Sequence, residues 1–248
     1  MTFNFQPSYN YIIGAKQTSR NMLTQYAHAK RIISTAKEIF FPARCFICKR
    51  YGDLLCADCQ TLFDISRVHR PDRNHKYLAD IFAACGYENK YVQKMIRGLK
   101  YEPFRKELAC PLAELIAGHF KLAEQNFNFR EFVIVPVPLA EKRLRWRGFN
   151  QADIIARELG RLSDAPVAEN CLARVLETKN QADLGQAERL TNIKGAFACA
   201  NNAPFKNKPV LIVDDVITTG ATINECARVL SRAGAAKVIG VAIARTNS

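Results

Sequence analysis

Nowhere do the 248 residues hold an unbroken apolar stretch of the roughly 20 residues that a membrane-spanning helix needs. Residues 1–19 lack the basic start and apolar core of a secretory leader. Together these absences set the expectation of a cytoplasmic protein with no transmembrane segment. Internal repeats and low-complexity blocks are also missing, which excludes a solenoid or a compositionally disordered chain. Acidic residues are in short supply, 23 against 36 Lys and Arg, and the net charge of +13 favours polyanionic partners such as nucleic acid. The excess is uneven. Residues 1–80 carry 12 basic and 6 acidic side chains, 81–150 carry 12 and 7, and 151–248 carry 12 and 10. Tryptophan occurs once, at position 146.

Hydrophobic content of 48% and this length suit one large domain, or one medium domain with a small attachment. Nine cysteines in a reducing compartment are not expected as disulfides, and four of them have another use. Cys45-Phe-Ile-Cys48 and Cys56-Ala-Asp-Cys59 stand seven residues apart, a spacing that lets four thiolates surround one tetrahedral zinc ion. Such a site has no open position, so the zinc would fold a small module and do no chemistry. The competing reading, two redox-active Cys-x-x-Cys pairs, lacks the strand and helix that thioredoxin-like motifs need around them.

Residues 1–20 show no sustained period and are expected as a weakly ordered tail. Met22, Leu23, Tyr26, Ile33, Ala36 and Phe40 recur at helical spacing, so an amphipathic helix is expected over 21–39, stopped by Pro42. With the cysteine knuckles it makes a first unit over 21–76. The second unit is expected over 77–248, and within it strands and helices alternate over 131–248, which implies a parallel sheet with right-handed crossovers. A strand is expected within 76–88, followed by a helix whose face is Tyr91, Val92, Met95, Ile96 and Leu99. A second helix is expected from about 104 or 111 to 124. Residues 132–139 form a buried strand closed by Pro136 and Pro138, and 141–151 a polar loop before another helix. Short strands at 173–176 and 195–200, and a last one at 237–244, complete the pattern.

Residues 210–222 organise the whole. Val210, Leu211, Ile212 and Val213 are an apolar run suited to a strand buried on both faces, and Asp214 and Asp215 end it. Thr218, Thr219, Gly220, Ala221 and Thr222 then lead into a helical pattern closed by Gly234. A helix start with a glycine suits a phosphate, while two adjacent carboxylates accept hydrogen bonds from the neighbouring hydroxyls of a ribose. This stretch resembles the phosphoribosyl-pyrophosphate (PRPP) motif of type I phosphoribosyltransferases. The resemblance implies that Asp214 and Asp215 hold the ribose and that the loop from Thr218 to Thr222 holds its 5′-phosphate.

The order of parts is more specific still. The four-cysteine module, Leu99-Lys100-Tyr101, Pro136-Val-Pro-Leu139 with Arg147-Gly-Phe-Asn-Gln151, then Arg174, Gln181, Leu184, Arg189, Asn192 and Phe197, and then the PRPP motif together resemble the ComF family over about residues 30–246. The resemblance implies an α/β protein with a type I phosphoribosyltransferase-like domain behind a zinc module, acting in competence and DNA uptake on single-stranded DNA in the cytoplasm; another reading is an adaptor whose helix over 21–39 and zinc module dock other DNA-uptake proteins. Lys142, Arg143, Arg145, Trp146, Arg147 and Phe149 independently offer cations for phosphates and rings for unstacked bases. The alternative is a working phosphoribosyltransferase, with Mg²⁺ on PRPP and Arg174, Lys179 and Arg189 meeting the developing charge. No acceptor-binding signature is evident in 77–125.

Overall fold

The computed structural model describes residues 43–69, 71, 74–123, 127–176, 193–199 and 204–246. The expected tail, the expected helix over 21–39, Lys179 and Arg189 lie outside them. Residues 1–53 and 54–248 form two compact units. The first shows a tight turn. Arg44 bridges Tyr51, the Cys45 N–H donates to the Arg50 carbonyl at 2.8 Å, and the Lys49 N–H donates to the Cys45 carbonyl at 2.9 Å.

The second unit opens with a single helical turn, α1 (Ala57–Gln60), and a first strand, β1 (Asp80–Gly86). Helix α2 (Lys90–Lys100) starts where the Asn89 side chain accepts from the Tyr91 and Val92 N–H groups, and it buries Val92, Met95, Ile96 and Leu99. Helix α3 (Ala109–Ala123) admits Pro111 because the first turn of a helix asks for no such donor. Strand β2 (Val133–Pro136), helices α4 (Glu141–Arg147) and α5 (Gln151–Ser163), and short strands β3 (Leu172–Arg174) and β4 (Phe197–Cys199) follow. Strand β5 (Pro209–Ile217), helix α6 (Ala221–Arg232) and strand β6 (Lys237–Arg245) complete it.

Among the described residues four strands make a parallel sheet in the order β1-β6-β5-β2. The apolar run of β5 is fully buried at its centre, as a strand covered on both faces must be. Gly240 of β6 is needed for close packing, since a Cβ there would come within 2.8 Å of the Ile223 side chain of α6.

Three local expectations change. The polar segment 141–151 begins as helix α4. Ala140 enters it in an extended conformation, Glu141 pairs with Arg145 one turn on, and Gly148, at φ +74°, ends it by donating to the Leu144 carbonyl. Strands β3 and β4 stay out of the parallel sheet and pair antiparallel with each other. Asp214 and Asp215 do not end β5, which runs on to Ile217 because β6 keeps bonding alongside it, with Asp214 opposite Ala242 and Ile217 opposite Arg245. On its other flank β2 stops at Pro136, opposite Val213. The acidic pair thus lies just past the point where one neighbour of a central strand ends, where parallel sheets open a crevice.

Candidate phosphoribosyl site

A cavity of about 610 Å³ opens there, a volume suited to a nucleotide-sized ligand. Asp214, Asp215, Thr218, Gly220, Ala221 and Thr222 line it, and so do Lys100, Arg143, Arg147 and Arg174. Residues from α2, α4, β3 and the β5–α6 turn therefore converge on one space.

Asp215 is only 4% exposed. One of its oxygens accepts from the Lys100 ammonium at 2.7 Å, while the other, Oδ2, is buried without a hydrogen-bond partner among the described residues. Burial alone would lower the pKa of Lys100, but the Asp215 carboxylate outweighs it and holds the ammonium above its ordinary value. Asp214 turns one oxygen back to the N–H of Asp215 at 2.8 Å. Burial, and then the neighbouring Asp215 charge, push its carboxyl up to about 7. A buried carboxylate oxygen without a donor, beside a second carboxyl that resists ionisation, is a pair waiting for hydroxyls or a cation.

The turn after β5 fits a phosphate by its backbone. Gly220 stands at φ +76° as the residue before α6, a conformation that glycine takes without strain. The Ala221 N–H points to the Thr219 hydroxyl at 3.4 Å. A Cβ on Gly220 would lie 2.6 Å from Nε2 of His75, so the imidazole closes over the turn from the 74–77 segment. That segment is tied down by the Tyr77 N–H, which donates to the Asn224 side chain of α6 at 3.1 Å.

The basic, aromatic segment is divided by the fold. Lys142, Arg143, Arg145 and Trp146 are exposed, and Arg145 is paired with Glu141. Arg147 is 8% exposed, donates to the Gln151 side chain and buries its Nε without a partner among the described residues. Burial lowers its pKa against the pull of Asp215 and Tyr101. Phe149 is buried edge-on against Phe104, with its ring under the Lys106 ammonium. Asn150 caps α5 and donates to the Val137 carbonyl at 2.9 Å, so Arg147, Asn150 and Gln151 are a joint between α4, α5 and the end of β2. Arg174 ends β3 at the cavity with its guanidinium over the Phe197 ring.

Lys100 stands within a sequence motif that assigns it no role, and nothing in the sequence raises His75. The first touches a residue 115 positions away, and no periodicity reports such a contact. The second is a single histidine in a polar stretch, with no pattern to raise it.

The four knuckle cysteines do come together, with all four Sγ atoms within 4.8 Å of one another. A tetrahedral zinc with Zn–S bonds of about 2.3 Å needs sulfurs roughly 3.8 Å apart, so the donor set fits that ion.

A parallel sheet with an acidic pair near the C-terminal end of a central strand, followed by a glycine turn into a helix, is the arrangement of the type I phosphoribosyltransferase fold. The phosphoribosyl transferase domain family matches this chain over residues 112–248. Competence protein F of Haemophilus influenzae is 41% identical over 108 residues, 42% of this chain and 46% of that protein. The DNA utilization protein YhgH of Escherichia coli K12 is 34% identical over 153 residues, 61% of this chain and 66% of that protein. Competence protein ComFC of Bacillus subtilis is 36% identical over 107 residues, 43% of this chain and 41% of that protein. The chain belongs to the ComF family of phosphoribosyl transferase-domain proteins.

Proposed function

We propose that this protein handles single-stranded DNA in the cytoplasm, in competence or DNA utilization, and holds a 5′-phosphorylated ribose, with PRPP as the candidate, on Asp214, Asp215 and the turn from Thr218 to Thr222. The observation that carries the sugar site is Asp215, almost wholly buried with one oxygen unpartnered among the described residues, in the same cavity as Gly220. Vicinal hydroxyls donate to that oxygen and to Asp214, and the backbone at Gly220 receives the phosphate at the positive end of α6. Lys100, Arg143, Arg147 and Arg174 oppose the charge of a pyrophosphate. Mg²⁺ carried with the pyrophosphate fits the same carboxylates and would neutralise that group further. The names of the relatives support the DNA role, and exposed Lys142, Arg143, Arg145 and Trp146 are the side chains that would meet a strand.

The second reading is transfer of the phosphoribosyl group to an acceptor. The bond from C1′ to pyrophosphate breaks, the leaving pyrophosphate takes the electron pair, and the acceptor closes on C1′. Arg174, already at the cavity, favours this reading, with Lys179 and Arg189 as its expected companions.

One set of titrations tests the proposal. Calorimetry with PRPP should give binding to the wild type and a loss of tenfold or more in the Asp214→Ala, Asp215→Ala double variant, since about 1–3 kcal/mol attaches to charge-assisted bonds. Equal affinities would remove the sugar site. In anisotropy titrations of a labelled single strand, Lys142→Ala with Arg145→Ala should flatten the salt dependence by about one to two units, each lost phosphate contact being worth about 0.7. An unchanged slope would move the strand elsewhere on the basic surface.

A further inference from the structure

Helix α2 carries four cations, Lys90, Lys94, Arg97 and Lys100, and no carboxylate. Lys100 turns inward to Asp215 at 2.7 Å, while the other three stay exposed. Their spacings of four and three residues set them in one line along the helix, opposite the buried Val92, Met95, Ile96 and Leu99. On α5, by contrast, Arg157 pairs with Asp153 and Glu169 at 2.9 and 2.8 Å, and Arg161 pairs with Glu158 at 2.9 Å. Among the described residues neither Lys90 nor Arg97 has such a carboxylate. Lys90 even stands at the first residue of α2, where the helix dipole disfavours a cation. The stability of α2 does not account for that charge, whereas a polyanion held on this face does.

We infer that the outer face of α2, with Lys90, Lys94 and Arg97, is a second binding surface, and that its partner is the phosphate backbone of a single-stranded nucleic acid. The choice of partner rests on the strand reading given above for α4. Three observations support it. The apolar side chains of α2 are all turned into the core, so the helix has nothing to insert among lipid tails as a membrane-surface helix does. Rings stand at both ends of the line, since the Lys90 ammonium lies 5.1 Å from the Tyr91 ring and Tyr101, 54% exposed, follows the last turn. Rings of this kind take unstacked bases, which a duplex does not offer. Tyr101 also meets Trp146 with ring centres 6.4 Å apart, so the line runs into the end of α4. A strand leaving Lys142 and Arg145 therefore passes onto α2 in the order Arg97, Lys94, Lys90.

Anisotropy of a labelled oligothymidylate of about 20 nucleotides, long enough to cover both helices, is followed at several salt concentrations. The proteins are the wild type, Lys90→Ala with Arg97→Ala, Lys142→Ala with Arg145→Ala, and all four substitutions together. Two lost phosphate contacts, worth about 0.7 counterion each, should flatten the salt slope of the α2 variant by about one to two units, and the loss from α4 should add to it. Lys90→Arg with Arg97→Lys should keep the wild-type slope, because the backbone responds to charge. Alanine is the best helix former and removing Lys90 relieves the helix start, so the α2 variant should melt no lower than the wild type while binding less. An unchanged slope in the α2 variant, with the α4 variant flattened, overturns this surface and leaves the proposed function standing. A duplex of the same sequence length that binds as tightly as the single strand overturns the choice of partner. So does an α2 variant that keeps its strand affinity and loses binding to vesicles of anionic phospholipid, which would make α2 a membrane surface. If the wild type binds no strand, the DNA reading falls and the inference with it.

Discussion

Asp214 and Asp215 are adjacent carboxylates with different surroundings. Asp215 has a full cation on one oxygen, whereas Asp214 accepts from the backbone N–H of Asp215 and shares the field of Asp215, Lys100 and Arg174. Burial and Asp215 raise Asp214 from 3.8 to about 7. A raised carboxyl is protonated in the fold where the unfolded chain is already ionised. The folded protein then binds the extra proton, and stability falls as pH rises from about 4 to about 7. The melting temperature of the ligand-free protein should decline across that window and level off above it. Asp214→Asn should flatten the decline, and a wild type with no slope there would show that Asp214 ionises normally. Ligand hydroxyls prefer the ionised pair, so binding should expel a proton near neutrality. Calorimetry in buffers of different ionisation heat should detect that proton in the wild type and not in Asp214→Asn.

Among elements, the turn between β5 and α6 has the least tolerance. Gly220→Ala places a Cβ at φ +76° and 2.6 Å from the His75 ring. The left-handed conformation costs about 1–2 kcal/mol for a residue with a Cβ, and the displaced imidazole adds to it. An unfolding free energy lowered by that amount, read as a lower denaturant midpoint at unchanged m, together with loss of ribose 5-phosphate affinity, is the expected outcome. An unchanged midpoint would mean that the turn relaxes without cost. This turn, the apolar run of β5 and the face of α2 were legible in the sequence because each is written in consecutive or helically spaced residues. Helix α4 was not, since its Leu144 and Trp146 stay exposed and give no apolar period against which to read Glu141, Lys142, Arg143 and Arg145. The Lys100–Asp215 pair was also hidden, joining two elements that only the sheet order brings together. The burial of Arg147 and Phe149 is not legible in the sequence, because a run of basic residues reads as surface and nothing local marks which one turns inward.

At the scale of the whole molecule, the sequence put the zinc ligands in reach of one another and the sheet in the right class, but not the strand order. One zinc per chain is expected by elemental analysis, with Cys45→Ser plus Cys59→Ser losing it while the sheet signal in circular dichroism survives. Full zinc content in that variant would rule out these ligands. The strand order has a consequence for biosynthesis. Strand β1 hydrogen-bonds to β6 from Asp80 opposite Ile239 to Gly86 opposite Arg245, partners about 160 residues apart. As the ribosome releases the chain, Ile81 and Phe82 emerge long before β6, the one sheet neighbour of β1 among the described residues, and they need shelter until that last strand is free. Since β6 stands between β1 and β5, translation that stops short of Lys237 does not trim an edge. It deletes the strand that joins the first to the rest, and the nascent product should be a client of chaperones and proteases instead of a smaller folded protein.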